Sequence, residues 1–170
     1  MTGVQTCALP IWVFFMDEGG VYEEGTADQI FNNPKRERTR MFIRKLKVFS
    51  YSIISRGFDM VSMNVQIEMF CQKYNVEFKK INYIQLVLEE LIIEVIGSLQ
   101  KDEQPQIDFS IEFSEERDEI EITFTYRGKE FNPFVINDDE EHLGVILVTG
   151  ISKSTNYKYV DGFNTININI

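Results

Sequence analysis

The chain has 170 residues, 44% of them hydrophobic and 13% aromatic, which is room for one domain of ordinary size with a packed core plus a short appendage. Seventeen basic against 27 acidic side chains give a net charge of −10, with acidic clusters at Glu115–Glu121 and Asp138–Glu141 and one basic stretch at Lys35–Lys47. That balance excludes nucleic acid as a partner of the bulk surface, because phosphate contact needs Lys and Arg gathered on one face. Cys7 and Cys71 have no Cys or His neighbour at metal-ligand spacing, which argues against a zinc site or disulfide framework and fits a reducing cytosol. No apolar run approaches the roughly 20 residues of a membrane span, and Met1–Ile11 lacks the basic start and long apolar stretch of a signal peptide, so no direct membrane insertion is expected.

In chain order, the first organised signal is an apolar run Trp12–Met16, a turn Asp17-Glu18-Gly19-Gly20 and a second run Val21–Glu23, together a hairpin. Thr26 then stands as N-cap of a short helix Ala27–Phe31 with Asp28 in its first turn. Pro34 is placed to open a longer helix whose apolar face is Met41, Phe42 and Leu46. The stretch Val13–Ile43, VFFMDEGGVYEEGTADQIFNNPKRERTRMFI, closely resembles the carboxy-terminal end of the ATP-binding subunit of polar amino-acid ABC importers. The phosphate loop, signature motif and Walker B acid of that family lie upstream of this stretch, and none is present before Val13, so this chain is not expected to hydrolyse ATP by the ABC mechanism. Met1–Ile11, MTGVQTCALPI, resembles translated sequencing-adaptor read-through and is set aside as an artefactual or disordered terminus. Residues 12–46 then form an orphaned tail and 47–170 a separate domain.

From Lys47 the pattern is α/β. A strand Val48–Ile54 precedes a helix from about Phe58 to Tyr74 with Val61, Val65, Met69 and Phe70 on one side. A longer helix, Phe78–Gln100, carries Ile81, Ile84, Leu88, Leu91 and Val95 at spacings of three and four, one continuous buried stripe. After Pro105 two strands alternate cleanly: Ile107, Phe109, Ile111 and Phe113, then Ile120, Ile122, Phe124 and Tyr126, each interleaved with polar residues around a charged tip at Glu115–Glu119. One apolar face per strand predicts a mainly antiparallel sheet covered on one side by helices, an α+β two-layer sandwich. A loop over 128–139, an apolar helix Leu143–Ile151 and strands Thr155–Val160 and Asn164–Ile170, joined by Asp161-Gly162, complete three helices and five strands.

That order, with its motifs, resembles the GHKL (Bergerat-fold) ATP-binding domain of histidine kinases and especially of anti-sigma-factor serine kinases, over roughly Val48–Ile170. Three stretches carry the resemblance: LVLEELIIEVIGS at Leu86–Ser98 for the helix with the E-x-x-x-N box, YRGKEFNPF at Tyr126–Phe134 for the D-x-G-x-x-F-D-P loop, and HLGVILVTGI at His142–Ile151 for the glycine-rich turn. The resemblance implies Glu90 as catalytic acid/base, Glu94 at the position of the Mg-binding Asn, and Gly128, Asn132 and Gly144 as nucleotide-binding residues. It also implies Mg-ATP as the cofactor of an intact site. The departures are chemical: Glu94 replaces the Asn, Tyr126 stands where an Asp would read the adenine amino group, and Asn137–His142 places four consecutive carboxylates where backbone amides would cradle phosphate. Glu90 and Glu94 also read as a solvated helix face, Gly128 and Phe131-Asn132-Pro133 as an ordinary turn, and His142 as a surface residue.

Three functions are consistent with these residues. The first is a fragment of an amino-acid importer ATPase subunit with an appended degenerate GHKL-like regulatory or interaction domain that is not catalytic. Its partners would be the importer's membrane subunits, an ATPase dimer partner and a regulatory protein, at the cytoplasmic face of the membrane. The second is an ATP-binding anti-sigma factor or serine protein kinase with Mg-ATP held through Glu90 and Glu94. The third is an interaction module with no present nucleotide role.

Overall fold

The structure, a computed structural model, describes residues 12–135 and 143–170. The expected terminus 1–11 and the acidic segment ending at His142 lie outside the described residues. The chain divides into two units, Met1–Leu46 and Lys47–Ile170. Six basic and six acidic side chains balance in the first unit, so the whole net charge of −10 belongs to the second.

In the first unit β1 (Trp12–Asp17) and β2 (Gly20–Thr26) pair antiparallel around Glu18 and Gly19, both at positive φ (49° and 80°). Such a two-residue turn twists with the strands it joins. Thr26 caps α1 (Ala27–Phe31) through a reciprocal box: its hydroxyl accepts the Gln29 N–H (3.3 Å) and its own N–H donates to Gln29 Oε1 (2.9 Å). The next helix is shorter than the sequence suggests. α2 spans Glu37–Ile43 rather than starting at Pro34, because the buried Glu23 carboxylate accepts the N–H groups of Lys35 (2.8 Å) and Arg36 (3.1 Å) and keeps Arg36 extended. Phe42, expected on the apolar face, is exposed, although its ring meets Phe15 at 5.2 Å.

In the second unit five strands, β3 (Leu46–Ile53), β4 (Ile107–Ser114), β5 (Glu119–Arg127), β6 (Ser154–Val160) and β7 (Phe163–Asn169), form one sheet of order β3-β4-β5-β7-β6. The β4–β5, β5–β7 and β6–β7 pairs are antiparallel. Their register aligns Ile111, Ile122 and Ile168 on the inner face and Ser110, Thr123 and Asn167 on the outer. Helices α3 (Met60–Lys73), α4 (Phe78–Ser98) and α5 (Leu143–Ile151) complete the α+β fold. α4 buries Ile81, Ile84, Val87, Leu88, Leu91, Ile92 and Val95, and its stripe shares one core with the inner side chains of the sheet. Aromatic rings of β3, β4 and β5 continue that core, with Tyr51, Phe109 and Phe124 stacked in sequence.

α3 departs from its expected orientation. Val61, Val65 and Met69 are 73%, 49% and 65% exposed, whereas Met63, Ile67 and Cys71 are buried. The helix has two apolar stripes, and periodicity alone does not choose between them. Burial pushes the Cys71 thiol up to about 11, so it stays protonated in the core.

α4 ends at Ser98, two residues before the expected Gln100, where Arg56 caps it. The guanidinium donates to the carbonyls of Ile96 (3.3 Å), Leu99 (3.2 Å), Gln100 (2.7 Å) and Glu103 (3.0 Å), and Ser98 Oγ donates to Val95 O (2.7 Å). Ile96 O belongs to the last helical turn, where carbonyls lack α-helical partners, and the other three lie just beyond it.

Replacing Arg56 by Ala removes these bonds while Ile96 O and Gln100 O keep the N–H groups of Leu99 and Glu103, and a loss of roughly 1–3 kcal/mol is expected in denaturant unfolding, with Lys recovering only part because it cannot fork. A second expectation concerns Glu23. Burial raises its pKa, but the Thr39 hydroxyl beside it, the two N–H bonds and the charge of Arg36 outweigh that and hold it below the ordinary 4.5. The stabilisation it supplies is therefore complete above that value and lost as pH falls through the lower folded value. The amide resonances of Lys35 and Arg36 should titrate with a midpoint below 4.5; a midpoint at or above it would contradict the assignment.

Candidate functional site

The second half of α4 carries three acids, and neighbouring elements separate their roles. Glu89 accepts from Asn64 Nδ2 on α3 (2.5 Å), which also receives Gln85 Nε2 on its backbone carbonyl (3.2 Å). Glu90 turns the other way, toward α5. Its carboxylate lies so close to Gly144 that a Cβ there would collide with it, and even Glu90 Cγ would be 3.1 Å from that atom. Glu94, one turn on, is half-buried. α5 has no charged residue and anchors through Val145 and Val148, which brings its first turn against α4. Among the described residues, no group of three or more His, Cys, Asp or Glu side chains is placed to hold a metal ion.

The loop after β5 is built around a single amide. Asn164, fully buried on β7, donates through Nδ2 to Lys129 O (3.0 Å) and Tyr126 O (3.4 Å), and its Oδ1 accepts from the Phe131 N–H (3.0 Å) and the Tyr157 hydroxyl (2.6 Å). All of its hydrogen-bonding capacity is used. The Tyr126 hydroxyl donates to Phe131 O, so the ring that replaces the expected Asp is buried and committed to the loop backbone. Its pKa is raised, first by burial and then by Tyr157 beside it, so the donor proton is retained. Tyr157 is raised by burial and by the charge of Glu130.

Gly128 takes a φ of +153° and donates its N–H to Gly162 O (3.0 Å), a conformation that disfavours a side chain. Asn132 Oδ1 accepts the Phe134 N–H (3.0 Å), which fixes the turn into Pro133. Gly128 lines a half-open hollow of about 430 Å³ between the end of α4 and the 126–131 segment, together with Leu99, Tyr126, Lys129 and Glu130. The hollow is lined by neither Glu90, Glu94 nor Gly144. The structure thus joins Glu90 to Gly144 at the α4–α5 contact and places Gly128 at a separate hollow. Asn164, Tyr157 and Arg56 went unnoticed in the sequence. Asn164 had one signal: it opens an inward series, Asn164, Ile166, Ile168 and Ile170, that is otherwise aliphatic.

No protein-family model matches the chain. A segment of 34 residues, 20% of the chain, is 47% identical to the L-cystine import ATP-binding protein TcyN of Bacillus subtilis and spans 13% of that protein's length. Among solved structures, that of the RsbU and RsbW domains of Rv1364c from Mycobacterium tuberculosis superposes with a TM-score of 0.53 at 9% identity, over 72% of this chain and 32% of that one. The likeness shows the fold alone, a mixed α/β, GHKL-like architecture with one antiparallel five-stranded sheet and its helices. The short match supports the resemblance of the amino-terminal tail to an ABC importer's ATP-binding subunit.

The Glu90–Gly144 contact predicts a specific coupling. Gly144→Ala should swing the flexible end of the Glu90 side chain aside at a cost below about 1 kcal/mol, and Glu90→Ala should abolish that cost in the double variant. Additive effects in denaturant melts would show that the two residues do not meet.

Proposed function

We propose that this chain is the carboxy-terminal part of the ATP-binding subunit of a polar amino-acid ABC importer, continued by a degenerate GHKL-like domain that acts through protein contacts and does not catalyse phosphoryl transfer. The observation that carries this reading is Tyr126. The position where the family would read adenine with a carboxylate holds a buried ring whose hydroxyl is bonded to Phe131 O. A base reader needs an accessible acceptor, and a committed phenolic donor does not provide one.

Two further features support it. Glu90 packs its carboxylate onto Gly144 at the first turn of α5, where a retained glycine would otherwise let phosphate approach backbone amides. Asn164 ties the loop to β7 through Lys129 O and the Phe131 N–H, contacts made within the chain. The residues present therefore do not fit Mg-ATP in the family's manner. The 34-residue match supports the importer assignment of the tail, and with it membrane subunits and an ATPase dimer partner as contacts of the intact protein, at the cytoplasmic face. No helix among the described residues is long and apolar enough to cross a membrane.

Titration calorimetry of the full chain with ATP and ADP, with and without magnesium, tests the non-catalytic part. No heat of binding at millimolar nucleotide is expected. Magnesium-dependent binding lost in Glu94→Ala would instead support the alternative, an anti-sigma-factor or serine-kinase-type domain using Glu90 and Glu94. For the importer part, the reading frame upstream of Val13 should encode an ATP-binding cassette, and its absence there would overturn the assignment.

A further inference from the structure

The hollow beside Gly128 has no part in the reading above, and its lining has a definite chemistry. Its volume, about 430 Å³, lies within the range of small-molecule sites, roughly 300–1,000 Å³. Tyr126 and Phe131 supply apolar and aromatic surface, Arg127 and Lys129 supply cations, and Glu130 and Glu103 supply anions, the Glu103 carboxylate already accepting the Gln100 N–H (3.1 Å). In a unit that carries the entire net charge of −10, two cations balanced by two anions around one hollow are a local exception.

The charged groups are also held ready. Lys129 and Glu130 lie between two backbone anchors, Lys129 O and the Phe131 N–H, both bonded to the buried Asn164. Their backbone is fixed while, among the described residues, neither side chain has a hydrogen-bond or ion-pair partner. Arg127 is steadied over the Phe163 ring at 5.9 Å. Opposite charges carried by adjacent residues, unpaired on a preorganised loop, can hold both ends of a ligand at little ordering cost. A plain anion would be opposed by Glu103, Glu130 and the acidic surface, and a plain cation by Arg127 and Lys129. A zwitterion satisfies both.

We propose that this hollow binds a free polar α-amino acid, its carboxylate on Lys129 and Arg127, its ammonium on Glu130, and its side chain toward the amide of Gln104. The choice of an α-amino acid among zwitterions rests on the importer reading. A binding site of this class would give the appended domain a way to report the level of the transported kind of solute.

The test is a two-dimensional NMR titration of the full chain with L-glutamine, L-glutamate, L-arginine and L-cystine in turn, and separately with Mg-ATP. At least one amino acid should bind saturably and shift the amides of Gly128–Phe131. Lys129→Ala and Glu130→Ala should each weaken it about tenfold or more, as expected for a lost charge-assisted bond. Both residues are exposed, and unchanged far-UV circular dichroism would confirm that the variants fold. No saturable binding by any of the four, or binding indifferent to both substitutions, would overturn the amino-acid site while leaving the importer reading intact. Mg-ATP shifting the same Gly128–Phe131 amides would overturn both the amino-acid site and the non-catalytic reading.

Discussion

The second unit depends on the burial of one helix face against one sheet face. Ile81, Ile84, Val87, Leu88, Leu91, Ile92 and Val95 of α4 face the inner residues of β4, β5 and β7, and their removal from water contributes on the order of 10 kcal/mol before chain entropy is subtracted. The position of everything else is secondary to that contact. α3 and α5 pack against α4, so the acids on its free flanks meet whatever those helices present. Arg56 ends the helix by occupying its last carbonyls, and the hollow opens at that end.

Around this frame, polar side chains order the loop after β5 and the start of α5. Tyr126 turns a hydroxyl into that loop, and Asn164 binds the 126–131 segment at three points and the Tyr157 hydroxyl at a fourth. Glu90 brings a negative charge to the first turn of α5, a place where a phosphate would otherwise be favoured by the helix dipole. Each substitution alone is compatible with the fold, because the core beneath is aliphatic and aromatic and does not depend on them. Together they build the order of this loop and of the start of α5 into the chain itself.

The first unit has a different character. Trp12, Phe14 and Met16 lie on one face of β1 and are about half exposed, as are Val21 and Phe31. Its cohesion comes from polar and aromatic contacts: the Glu23 carboxylate on two backbone amides, Arg36 and Arg38 over the Tyr22 ring at 5.0 and 5.9 Å, and Arg38 bonded to Asp17 and Glu18.

The sequence by itself determined the kinds of element and most of their inner faces. The alternation of Ile107–Phe113 and Ile120–Tyr126 and the stripe of α4 are local periodicities, and burying them on one side has a single solution. The tertiary structure decided what local pattern leaves degenerate. α3 carries two apolar stripes, and only its neighbours select Met63, Ile67 and Cys71 over Val61, Val65 and Met69. The start of α2 was set by Glu23, twelve residues before Lys35, through hydrogen bonds that no local propensity encodes. The meeting of Glu90 with Gly144, and of Asn164 with the 126–131 loop, joins residues 54 and more than 30 positions apart. Such contacts follow from chain crossings and strand register, which exist only once the core has formed.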